Sequence, residues 1–287
     1  MTLRIAPDIA VPVLPTVLHR GRSGPERLAP CATVPDPPPA VEVGPVAGER
    51  GPGSIQRLDA HLIVVPLAGA SSHLVDFEPY RIGPGRLLHV RPGQVHRREA
   101  PGDGEDLELR VPAELGPSGL FPPGCYDPVP GPEVTAVVET VVADLEAQWI
   151  DRADPRLLAA GGSYVLLRLA QAMRPPPGAG SGQGDLVAAL LAAIESSFSD
   201  TRAVADYARE LGASARTLSR ATGALLGCSP KELIDRRVVL EARRLLAVTT
   251  LPVAEVADRL GFTEATNFTK FFVRHTEEGP LEFRVAC

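Results

Sequence analysis

The spacing of apolar residues changes character along the chain, and its clearest form occurs twice near the end. Val204, Ala205, Ala208 and Leu211 fall on one helical face at the i, i+3, i+4, i+7 spacing. Gly212 follows where a left-handed residue ends a helix at little cost, and Ser214 is a natural N-cap for a second helix over Ala215–Leu226. The pattern returns with Val253, Val256, Ala257 and Leu260, then Gly261 and a cap at Thr263. Each copy is a short helix, a glycine turn and a longer capped helix closed by Gly and Pro. That is the layout of a helix-turn-helix, whose second helix enters the DNA major groove in DNA-binding versions. Helical hairpins are common in ordinary cores, so one copy would say little. Two copies joined by a long helix over residues 231–247 say much more. Leu240, Leu245 and Leu246 are the expected core of that helix, which would hold the two recognition helices at a fixed separation.

Upstream the texture differs. Residues 131–173 carry a helical stripe, Val134, Val137, Val138, Val141, Val142, Leu145 and Trp149. A second helix starts at Pro155 and runs through Tyr164, Leu167 and Ala170 to Met173. Residues 53–110 instead show short apolar runs at 61–67, 73–77, 86–90 and 107–111, cut by turns at Pro84-Gly85 and Pro92-Gly93. Such a pattern predicts a small antiparallel barrel or jelly roll. Residues 1–50 are too rich in Pro and Gly for a helix and read as a surface or disordered segment, with Val11–Leu14 as a candidate edge strand. Residues 174–184 read as a linker, stiff at Pro175–Pro177 and flexible beyond. A flexible linker passes strain poorly, so ligand control would act through dimer geometry or by docking one domain on the other. The expected fold is α+β with two domains. A segment 1–50 precedes a barrel at 51–130 and helices at 131–173; the linker 174–184 then leads into an all-α unit at 185–287.

Several short runs in that last unit carry a family signature. They are Leu218-Ser219-Arg220, Gly227-Cys228-Ser229-Pro230, Arg236-Arg237, Glu241 to Leu246, Val253 to Ala257, Leu260-Gly261-Phe262, Asn267 to Phe272 and Pro280 to Arg284. With them, residues 201–284 resemble the DNA-binding domain of AraC/XylS transcription regulators. Residues 75–97 resemble the cupin-like effector domain that precedes it in that family. The departures are Thr222 and Thr276 where the family usually carries Phe, and Glu277 where Gly is common; they predict looser packing of the recognition helices.

The candidate DNA contacts follow from chemistry and from this likeness together. Arg216 and Arg220 are four apart on one helix face, and Arg suits the guanine O6/N7 edge. Thr217 and Ser219 flank them. The resemblance gives Thr266, Asn267 and Lys270 base-contacting positions, Asn suiting adenine and Lys guanine or phosphate, while Ala265 would touch a thymine methyl. Ser214 and Thr263 are placed for phosphate at helix N-termini. The likeness further implies a small-molecule effector, a homodimer paired through residues 131–173, contact with RNA polymerase, and activation.

Composition tests this reading. The chain carries a net charge of −6, and residues 185–287 hold 13 Lys and Arg against 14 Asp and Glu. This departs from the basic footprint of a DNA binder. Placement offsets it, because Arg216, Arg220, Lys231, Arg236, Arg237, Lys270 and Arg274 lie on or beside the proposed DNA-facing helices. Modest affinity that needs a second subunit or half-site is the expectation. Cys31, Cys125, Cys228 and Cys287 share no close spacing, which fits reduced cytoplasmic thiols. No long apolar run suggests a signal or a membrane span.

His61, His73 and His96 are the candidate effector-pocket residues, with His89 nearby in sequence. A cupin metal site needs a His-x-His pair with a carboxylate, and no such pair occurs. No phosphate loop, nucleophile elbow or paired carboxylates appear either, so no cofactor and no catalytic role are expected. Two rivals remain open at this stage: a metal-dependent cupin enzyme with a helical tail, and a helical interaction module that has lost DNA binding.

Overall fold

Strand β3 (Ala60–Ala68) explains the N-terminal architecture, since it is buried on both faces. Leu62 and Val64 point into a cluster with Leu58, Val75, Ile82, Leu88 and Val90, while Ile63 and Val65 join Val138, Val142, Leu145, Leu158, Val165 and Leu166 from two helices. A strand covered on both sides needs apolar residues at every position, which is why 61–67 reads as a continuous run. The computed structural model describes residues 41–45, 54–99, 105–116, 129, 132–150, 154–172 and 182–287.

The other strands are β1 (Glu42–Pro45), β2 (Gln56–Arg57), β4 (Ser71–Val75), β5 (Glu78–Ile82), β6 (Leu88–Val90), β7 (Val95–Arg98) and β8 (Glu105–Pro112). They form two four-stranded antiparallel sheets ordered β1-β8-β3-β6 and β2-β7-β4-β5, the strand order of a double Greek-key jelly roll. Helices α1 (Pro132–Ile150) and α2 (Pro155–Ala172) cover the outer face of the first sheet. Two adjustments to the sequence reading follow. The end of the Pro/Gly-rich segment is strand β1, paired with β8. The run at 73–77 is not one strand, because Asp76 and Phe77 form the turn between β4 and β5. Val11–Leu14 and most of the linker lie outside the described residues, as does the Trp149 side chain.

The C-terminal half is helical: α3 (Gly182–Ser197), α4 (Val204–Glu210), α5 (Ala215–Leu226), α6 (Pro230–Val248), α7 (Val253–Arg259), α8 (Ala265–Thr276) and α9 (Pro280–Ala286). Helix α3 begins inside the segment read as linker. Helix α6 starts with a capping box between Ser229 and Glu232, has Pro230 in its first turn, and buries Ile234, Val238, Ala242, Leu245 and Leu246. Leu240 is only half-buried. Around this rod pack Leu190, Ile194, Tyr207, Leu218, Val256, Leu260, Phe262, Phe268, Phe272 and Phe283. Helix α4 is turned slightly from its expected face: Tyr207 is buried with its hydroxyl donating to the Thr201 carbonyl, whereas Ala205 is exposed.

Helices α5 and α8 both span 12 residues and both end on a left-handed residue, Gly227 at φ 67° and Glu277 at φ 65°. Glutamate at such a position carries a steric cost that glycine lacks. Glu277→Gly should therefore raise stability by about 1 kcal/mol, read as a higher midpoint in a urea titration. Thr222, at one departure from the family pattern, is fully buried beneath α5 with its hydroxyl on the Ser219 carbonyl. Thr276 directs its hydroxyl at the Phe272 and Glu278 carbonyls. Among the described residues no helix is long and apolar enough to cross a membrane.

Candidate nucleic-acid interface

The two recognition helices present equivalent faces. Helix α5 is anchored through Leu218 and Ala221, and α8 through Phe268 and Phe272, all buried. Arg216, Ser219, Arg220, Thr266, Asn267 and Lys270 are exposed on them, and Thr217 and Ala265 half-exposed. Arg220 and Lys270 occupy the same step, the sixth residue of each helix.

Ion pairing separates these cations from the rest. Arg209 pairs with Asp206, Lys231 with Asp235, Arg236 with Glu232, Arg259 with Glu255 and Arg244 with Asp76. Arg237 grips Glu195 through Nε at 2.7 Å and Nη2 at 2.8 Å. Arg202 and Arg284 donate to backbone carbonyls, and Arg243 lies over the Phe77 ring. Among the described residues of the helical half, that leaves Arg216, Arg220, Lys270 and Arg274, exposed and without an ion pair. All four stand on α5 or α8. Lys231, Arg236 and Arg237, which sequence placed on or beside the DNA-facing helices, each have a carboxylate partner. Arg274, already placed beside Lys270 by sequence, is exposed on the same helix.

The capping positions differ between the copies. Ser214 caps α5, its Oγ accepting from the Thr217 N–H at 3.0 Å while also bonding the Thr217 hydroxyl. Thr263 does not cap α8: the N-cap is Glu264, with no side-chain cap bond. Helices α4 and α7 start 49 residues apart, α5 and α8 start 50 apart, so the second turn holds one extra residue and the cap moves past Thr263. Glu264 instead accepts from the Thr266 hydroxyl at 3.2 Å. Ser219 donates to the Ala215 carbonyl of its own helix.

Arg202 ties the two copies together. Its guanidinium donates to the Leu260 and Gly261 carbonyls and sits 3.8 Å over the Phe262 ring. A residue ahead of the first hairpin thus clasps the turn of the second. Nothing in the sequence pattern marked it, because its partners are backbone atoms 58 and 59 positions away.

In the jelly roll the candidate histidines separate into two places. His73 and His96 face the interior between the sheets, Nδ1 to Nε2 at 3.0 Å, with the Ser71 hydroxyl 2.9 Å from His73. Asp106 lies beside them, fully buried. Its Oδ2 is 2.8 Å from Arg98 but makes no directed hydrogen bond among the described residues, so the contact is electrostatic. Burial outweighs that charge and pushes the Asp106 carboxyl up. His61 lies elsewhere, on the helix-covered face of the first sheet, with Nδ1 3.0 Å from His89 Nε2. Burial, then neighbouring charge, lowers His61 and His96 to about 4 and His73 to about 3, and takes His89 well below its ordinary value. All four are neutral hydrogen-bonding groups near pH 7. An open cleft of about 450 Å³ lies between β1, β2 and β8, lined by Glu42, Gln56, Arg57, Asp59 and Arg110 among others, and not by these histidines. Among the described residues no group of three or more His, Cys, Asp or Glu is placed to hold a metal.

Paired helix-turn-helix units with their unpaired cations confined to the two recognition helices define a DNA-binding protein. Comparison with known proteins agrees. Residues 207–286 match the model of a helix-turn-helix domain family. The HTH-type transcriptional activator RhaS of Klebsiella pneumoniae is 25% identical over 238 residues, covering 79% of this chain and 85% of the relative. RhaS of Yersinia pseudotuberculosis is 25% identical over 239 residues, covering 79% and 87%. Among solved structures, ToxT of Vibrio cholerae aligns over 85% of this chain and 96% of its own, with TM-score 0.43 and 11% identity. An AraC-type regulator of Chromobacterium violaceum covers 37% and 95%, with TM-score 0.34 and 23% identity. The chain is a DNA-binding transcription regulator whose helix-turn-helix domain match spans residues 207–286.

Proposed function

We propose that the chain is a one-component activator that reads two consecutive major-groove segments with α5 and α8. In this reading Arg216, Arg220 and Asn267 contact bases, Lys270 a base or phosphate, and Ser214 and Arg274 the backbone. The observation that carries it is the confinement of that half's exposed, unpaired cations to α5 and α8, in a half with no net positive charge. That economy fits modest affinity per subunit, and dimerisation would supply the rest. Leu157, Tyr164 and Leu167 of α2 are exposed, away from the face that packs on the sheet, and suit pairing with a second copy. The interior histidines His73 and His96 suit a small polar effector, and His61 does not share their site. Activation matches the description of the RhaS relatives; contact with RNA polymerase is the proposed means, and work on chromosomal DNA suits a cytoplasmic protein.

An electrophoretic shift with the protein's own promoter region tests this. Arg220→Ala and Lys270→Ala should each weaken specific binding by roughly 1–3 kcal/mol while leaving non-specific binding nearly unchanged. Full specificity in both variants would remove these residues from the interface. Absence of any specific shift in the parent protein would favour the interaction-module reading instead.

A further inference from the structure

The turn between β4 and β5 has an unusual composition for its backbone. Val75 pairs with Glu78 across it, so the loop is two residues long, and both Asp76 (φ 50°) and Phe77 (φ 72°) are left-handed. Two-residue turns of this kind ordinarily carry Asn-Gly or Asp-Gly, because only such residues take positive φ without crowding. A phenylalanine there is strained, and strain persists where surrounding contacts over-determine it.

Those contacts come from the DNA-binding half. The Asp76 carboxylate receives two parallel bonds from Arg244 of α6, Nε at 2.8 Å and Nη2 at 2.7 Å. The Phe77 ring meets Phe283 of α9 edge-on at 5.4 Å, with the Arg243 guanidinium 4.4 Å from its centre. Beside it Arg57 of β2 reaches Glu241 of α6 at 2.7 Å, and Glu241 also holds Arg237 and Arg244. A forked guanidinium–carboxylate pair with both partners largely buried is among the stronger directed polar contacts. It lands on α6, the rod that joins the two helix-turn-helix units.

The same carboxylate is tied into the jelly roll. Asp76 accepts from the Val95 N–H at 3.0 Å and from the Gln94 amide at 2.7 Å. These residues lead directly into His96, which lies opposite Val75 in the ladder and faces the interior beside His73. Movement of β7 at its inner face therefore reaches the Asp76 carboxylate without an intermediate element.

We propose that the Asp76–Phe77 tip is a latch, locking onto Arg244, Arg243 and Phe283 and passing the state of the jelly-roll interior to α6. The latch positions the DNA-binding half and does not cover it, since Arg216, Arg220, Asn267 and Lys270 are exposed with the latch engaged. The consequence for gene control rests on the regulator reading; the mechanical coupling does not.

The test uses the full chain and the turn's own chemistry. Asp76→Asn with Phe77→Gly supplies the preferred turn sequence, so the hairpin stays folded while the docking contacts are lost. Arg244→Gln removes the latch from the other side without touching the hairpin. In the parent protein, calorimetry should show the jelly roll and the helical half melting together. In both variants the transition should split, the two midpoints separating by about 5 °C or more. A parent that already melts in two steps, or variants that keep a single transition, would overturn the proposal. Because this readout needs no DNA, it stands apart from failure of the regulator reading, which the promoter shift detects.

Discussion

Gly261→Ala should disable the second helix-turn-helix, while Gly212→Ala leaves the first folded. Both glycines occupy the same place in the repeat with the same left-handed backbone, φ 71° and 61°. For each, a side chain costs about 1 kcal/mol of conformational preference. Their surroundings decide the rest. A Cβ on Gly212 meets nothing within 4 Å, whereas one on Gly261 would overlap the Ser199 carbonyl oxygen. That oxygen is backbone and cannot swing aside, and the segment carrying it is pinned by Arg202 to Leu260 and Gly261. Relief would require opening the α3–α4 connection from the α7–α8 turn, an overpacking cost on the order of 3 kcal/mol or more. Against a domain stability of about 5–15 kcal/mol this is large. A urea titration compares the two variants directly, and equal loss in both would show that the Ser199 contact is not as close as described.

Acid should unfold the jelly roll through its buried histidines. His61, His73, His89 and His96 all lie below the ordinary histidine value in the folded state, from desolvation first and nearby positive charge second. In each stacked pair one ring nitrogen donates to the other at 3.0 Å, which requires the accepting imidazole to be neutral. The unfolded chain therefore binds more protons than the folded one between about pH 6.5 and pH 4. Stability is complete above that window and falls as pH drops through it. Each histidine removes about 1.4 kcal/mol per pH unit until its folded value is reached. Several buried imidazoles acting together should place the acid midpoint above about pH 4, followed by far-ultraviolet circular dichroism. A stability that stays level between about pH 6.5 and pH 4 would mean that these imidazoles take up protons in the fold as readily as in the unfolded chain.

The helical half was more legible than the jelly roll, and the reason is physical. Helix faces, the glycines at 212 and 261 and the Ser214 cap act locally, so spacing alone recovers α4 to α8 within a few residues. Thr263 failed because one extra residue in the second turn shifts the cap, and neither glycine nor threonine announces that insertion. The strands β5 and β7, Glu-Pro-Tyr-Arg-Ile and Val-His-Arg-Arg, went unread because charged and imidazole side chains break their apolar pattern: Glu78 and Arg81 are exposed, while His96 is buried. Long-range partners were invisible as well. Nothing near Arg202, Arg237 or Asp76 in sequence tells what they hold, and those contacts decide which cations remain available to DNA.

The central claim is that α5 and α8 are held as one body and read adjacent grooves of the same duplex. Hydroxyl-radical footprinting on DNA selected by the protein from a random pool tests it most directly. Two protected windows on one face, centred about one helical turn apart, are expected, with Arg220→Ala losing one window and Lys270→Ala the other. A single window unaffected by either substitution, or no selected sequence at all, would contradict it.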